Sequence, residues 1–101
     1  MQKIKKEKSN MRDLNLSKEQ IEKLIQEGCR NLGHFELRLY CYAVVNGGQI
    51  VISRKTMENL TGTGKNNVNK QLAKADFKGM AELDLIEGTV YTLKINLGGT
   101  I

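Results

Sequence analysis

Hydrophobic positions recur with helical spacing through the first half of the chain and with strand spacing near its end, and each change of period marks an element boundary. Ser17 precedes an amphipathic stretch in which Ile21, Leu24 and Ile25 form one apolar stripe. Gln20, at the third helical position, can return a hydrogen bond to the Ser17 cap, and Leu16 can pack on Ile21, so a capping box and hydrophobic staple define this start. Gly28 is the expected stop. The stripe is buried either on the chain's own domain or in a dimer interface. Residues 34–46, HFELRLYCYAVVN, are the most apolar helical stretch and end at Gly47-Gly48. Phe35, Leu39 and Tyr42 lie on one side of that helix and Leu37, Cys41 and Val44 on another, so it needs cover on two faces. The following helices supply one cover; the first helix or a second copy of the chain supplies the other.

The β-branched run Gln49-Ile50-Val51-Ile52 predicts a short strand. Ser53 then caps a helix holding Met57 and Leu60 on one face, which Thr61-Gly62-Thr63-Gly64 interrupts. A second helix starts near Lys65, with Val68, Leu72 and Ala75 as its inward stripe and Asn66, Asn69, Lys70, Ala73 and Lys74 on the opposite side. Beyond Gly79, Ala81, Leu83 and Leu85 alternate with Glu82, Asp84 and Ile86, and Glu87-Gly88 turns the chain into a second strand, Thr89 to Ile95. Phe77 does not fit. A continued helix would leave it on the exposed side, so either the helix ends near Ala75 or Phe77 packs on a partner.

The outward face of the 65–74 helix carries the candidate chemistry. Asn can pair with an adenine edge in the major groove of DNA, while Lys neutralises phosphate or reaches guanine. Solvent is the alternative neighbour for such a face. Arg54 and Lys55 weigh against it: they occupy a helix first turn, where cations cost about 0.3–1 kcal/mol each, and a docked phosphate would repay that arrangement.

The spacing of Val68, Leu72, Ala75, Gly79 and Ala81 resembles the winged helix-turn-helix signature, in which a recognition helix runs through Leu-x-x-Leu-x-x-x-Gly-x-Ile into a wing. The resemblance covers the last two-thirds of the chain; Ala75, Glu58 and Gly64 depart from the family's usual residues. It implies an α+β fold with an extra N-terminal helix and a C-terminal β-hairpin wing. It also implies a DNA interface made of Lys65, Asn66, Asn67, Asn69, Lys70 and Lys74 on the recognition helix, Arg54 and Lys55 on phosphates, and Gly88, Thr89 and Lys94 on the wing.

Charge supports an anionic partner through its distribution. The net charge is +5, and the excess sits in two places: residues 1–12 carry Lys3, Lys5, Lys6, Lys8 and Arg12 against Glu7, and residues 53–79 carry six cations against Glu58 and Asp76. The last segment, with Glu82, Asp84, Glu87 and Lys94, is slightly acidic. Residues 1–12 read as a flexible basic arm, either a solubilising tail or an arm that follows phosphates or enters the minor groove. Residues 13–97 form one domain and 98–101 a frayed tail.

Cys29 and Cys41 have no C-x-x-C spacing and no apolar leader precedes them, so the expectation is a cytoplasmic protein with reduced thiols, no membrane span and no cofactor. His34 lacks companion ligands, and no carboxylate pair or nucleophile motif stands out; Gly62-Thr63-Gly64-Lys65 lacks the flanking residues of a phosphate loop. An enzyme is not expected. The leading expectation is a sequence-specific, dimeric binder of double-stranded DNA. Its small size and Lys/Asn/Ile-rich usage look similar to plasmid-encoded accessory proteins such as the TcpK-type relaxosome proteins, which act at an origin of transfer or replication beside a relaxase or replication protein. A small transcriptional regulator fits the same features. The alternative is a winged-helix protein–protein interaction module without direct DNA readout, favoured by the apolar 34–46 helix and an exposed Phe77.

Overall fold

In a computed structural model, which describes residues 15–97, the chain forms an α+β fold with four helices and one three-stranded antiparallel sheet among the described residues. The order is α1 (Lys18–Asn31), α2 (His34–Val45), β1 (Gln49–Ser53), α3 (Arg54–Thr61), α4 (Lys65–Ala73), β2 (Ala81–Glu87) and β3 (Val90–Ile95). The basic arm and the tail after Leu97 lie outside the described residues.

The start of α1 is the one its sequence specifies. Ser17 Oγ accepts from the Gln20 amide at 3.1 Å, and the Ser17 amide donates to Gln20 Oε1 at 2.9 Å. Its end is a correction. Gly28 does not stop the helix, which continues to Asn31 and closes on Leu32, whose amide donates to the Gly28 carbonyl. Gly28 is buried against α2, and a Cβ placed there would come within 2.9 Å of Tyr40 Cδ2 and 3.1 Å of Leu37 Cδ1. Glycine sits mid-helix because α1 and α2 approach too closely for a side chain, a contact that outweighs its poor helix propensity.

Helix α2 is the centre of the core. Phe35, Leu39, Tyr40, Ala43 and Val44 are buried on it, with α1 on one side and α3, β1 and β3 on the other. Both covers come from the same chain. Gly48 carries the chain from α2 into β1, its amide donating to the Ala43 carbonyl and its carbonyl accepting from Ile95 of β3. The sheet order is β1-β3-β2; Ile50 and Ile52 of β1 lie opposite Leu93 and Tyr91, and Leu83 of β2 lies opposite Leu93. This face, with Ala81 and Ile95, closes the core beneath α2. The hairpin turn sits one residue later than the sequence implies: Glu87 pairs with Val90, so Gly88 and Thr89 form the loop. A bulge between Leu85 and Glu87 leaves both Leu85 and Ile86 exposed.

Phe77 is only 7% exposed and belongs to the core. Helix α4 ends at Ala73, before Ala75, and the next residues are held by side-chain acceptors: Glu36 Oε2 takes the Asp76 amide at 3.0 Å, and Asp76 Oδ1 takes the Lys78 amide at 2.9 Å. That anchored bend turns the Phe77 ring inward.

Tyr40 is fully buried, and its hydroxyl has no hydrogen-bond partner among the described residues. Burial, with smaller contributions from Cys41 and Glu27, pushes its pKa up to about 12 from 10. Because the folded-state value lies above the unfolded one, stability is unaffected below about pH 10 and falls as pH rises from there towards 12. Denaturant titrations of wild type and Tyr40→Phe should diverge there, with the variant losing less. Burial also raises the Cys41 thiol, with Cys29 adding to the effect, so its thiolate is suppressed.

Candidate nucleic-acid interface

The candidate residues gather where α3, α4 and the β2–β3 turn converge. Ser53 Oγ accepts from the Thr56 amide at 3.1 Å and fixes the start of α3. Gly62, at φ 69°, ends it in the left-handed conformation, with its amide donating to the Glu58 carbonyl at 2.9 Å. Two residues later Gly64 opens α4 without a side-chain cap. Met57 on α3 and Val68 on α4 are both fully buried, and these two anchors hold the helices against the core.

With Val68 pointing inward, the helical period places Lys65, Asn66, Asn67, Asn69 and Lys70 in solvent, and all five are exposed. Lys74 is exposed as well, at the C-cap just beyond the helix body. Lys55 is exposed and Arg54 half-buried. No acidic residue lies within α4 or in the first turn of α3. A cationic, amide-bearing surface therefore spans both helices.

Arg54 is the junction of the three elements. Its guanidinium donates from Nη1 to Asn69 Oδ1 in the middle of α4, across fifteen positions of sequence. Its backbone amide donates to the Thr89 carbonyl at 2.9 Å, tying the start of α3 to the β2–β3 turn. Gly88 and Thr89 are thereby brought next to the helices. Lys94 is not. It pairs in register with Gln49 and Glu82, about 13 Å along the strand from Val90, at the end of the hairpin away from the turn. Of the three hairpin candidates, only the exposed Gly88-Thr89 turn lies beside the helices. Between α4 and the hairpin runs an open cleft of about 420 Å³ lined by Asn69, Leu72, Ala73, Leu83, Leu85 and Tyr91.

The arm residues Lys3, Lys5, Lys6, Lys8 and Arg12 lie outside the described residues. Sequence reasoning nominated Arg54 and Asn69 separately and missed their bond, because no local periodicity links residues on different helices. Lys78, paired with Asp76 at 3.7 Å on the loop after α4, was not nominated and is exposed. Among the described residues no group of three or more His, Cys, Asp or Glu side chains converges on a metal-sized site, and no helix is long and apolar enough to cross a membrane. Comparison with protein-family models, with curated proteins and with solved structures finds no match for this chain.

Proposed function

We propose that this chain is a winged helix-turn-helix protein that binds double-stranded DNA sequence-specifically, placing α4 in the major groove with α3 and the wing turn against the flanking backbone. The observation that carries the reading is the surface of α4: three exposed asparagines and two exposed lysines, with no acid among them, next to Arg54 and Lys55. Asparagine amides supply the hydrogen bonds that distinguish bases, and the cations supply the sequence-independent attraction to phosphate. Phe77 is buried and α2 packs on elements of its own chain on two sides, so neither supports a purely protein-binding module in the way an exposed Phe77 would.

A single module of this size reads few base pairs, so the binding species is a dimer whose doubled footprint raises affinity and specificity. Its setting is an origin of transfer or replication, where it assists a relaxase or replication protein, or an operator under transcriptional control. Neighbouring genes separate the two.

Selection of bound sequences from a random duplex pool tests the core of the proposal. Wild type should enrich a defined motif, and Asn66→Ala with Asn69→Ala should abolish the enrichment while leaving nonspecific, salt-sensitive binding largely in place. A pool that emerges unenriched with wild type would defeat the reading.

A further inference from the structure

We propose that Arg54 is a specificity-determining positioning residue: by holding Asn69 Oδ1 it aims the Asn69 amide with its NH₂ outward, so that this position of α4 reads guanine. The inference rests on α4 being the groove-reading helix.

An asparagine side chain offers one oxygen acceptor and one NH₂ with two donors. Paired recognition of adenine uses both, the oxygen accepting from N6 and the NH₂ donating to N7. At Asn69 the oxygen is already engaged by a guanidinium, in a charge-assisted bond that fixes which way the amide plane is turned. The backbone that carries Arg54 is anchored. Arg54 is the first residue of α3, it is half-buried, and its backbone amide is held by Thr89. What remains to face a partner is a pair of donors. Guanine is the base whose major-groove edge presents only acceptors, N7 and O6; adenine and cytosine place an amino donor there, and thymine offers a single acceptor.

Asn66, one turn earlier on the same exposed side, makes no side-chain hydrogen bond among the described residues. Its amide is free to rotate into the orientation adenine requires. Two residues of the same type thus acquire different reading preferences, and the difference comes from one arginine on the neighbouring helix.

The test uses the full-length chain, duplexes selected from a random pool, and competition titrations with each of the four bases at every position of the selected site. Asn69→Asp retains a partner for Arg54 as an ion pair but turns the outward group from donor to acceptor. At one base pair its preference should move from guanine to cytosine, whose N4 is a donor, with the ratio reversing by about tenfold or more. Arg54→Ala frees the amide, and adenine should then be accepted there as well as guanine. Thermal melting of each variant checks that the fold is retained. The proposal is overturned if the Asn69-dependent position of wild type is adenine, if Asn69→Asp leaves every preference where it was, or if Arg54→Ala weakens all duplexes equally. A wild-type chain that shows no preference among duplexes would instead strike the reading of α4 itself.

Discussion

Raising the salt concentration from 50 to 200 mM should weaken binding to the preferred duplex by about 500-fold, the result of roughly five phosphate contacts and a log–log slope near −4.5. Five cations would supply that number: Arg54, Lys55, Lys65, Lys70 and Lys74, all on or next to α3 and α4. Each contact displaces counterions condensed on the duplex, and their release is favourable in proportion to how dilute the surrounding salt is. Removing one phosphate-bound lysine should therefore shallow the slope by about 0.9 and lower affinity evenly across sequences. Lys55→Ala is the cleaner choice, because Lys55 is exposed at the start of α3 and Arg54 also holds Asn69. Fluorescence-anisotropy titrations at several salt concentrations supply the slope. A nearly flat line would mean that these side chains serve only as a solvated surface.

Substituting Gly28 by Val should destabilise the domain by about 3 kcal/mol, at the upper end of what overpacked cores show. The reason is geometric: the first atom of any side chain would stand 2.9 Å from the ring of Tyr40, and that ring is fully buried and cannot swing aside. Accommodating it requires α1 to withdraw from α2 or Tyr40 to leave its place in the core. For a domain of this size, such a loss corresponds to a fall in melting temperature of about 12–24 °C. Gly28→Ala is the informative companion. It meets the same ring with its single carbon, but alanine favours the helix by about 1 kcal/mol over glycine, so the net loss should be clearly smaller than for Val. If Val is tolerated without a change in melting temperature, α1 does not lie as close to α2 as the structure places it.

These expectations differ in how far they could be read before the structure. The Ser17 capping box, the helix after Gly33, the break at Gly62 and the hairpin were all legible, because each depends on residues within a few positions of one another. The exposure of Asn66, Asn69 and Lys70 was legible for the same reason: once Val68 is inside, the helical period leaves them outside. At Gly28 the local meaning of glycine, a helix stop, is overridden by the close passage of α2. The burial of Phe77 depends on Glu36, which accepts from the Asp76 amide forty positions later in the chain and holds the bend, so no local pattern decides it. Lys94 is near the hairpin turn in sequence, but the extended strand carries it away in space.

By itself, then, the sequence determined which segments are helix and strand, which stripe of each is apolar, and that one helix presents amides and lysines without acids. Short-range hydrogen bonding and the repeat of each element suffice for that. Only the tertiary structure decided which helices touch, where the chain bends, and that Arg54 holds Asn69 while Thr89 holds Arg54. Those contacts join residues far apart in the chain, and they exist only once the burial of Met57, Val68 and α2 has brought the elements together.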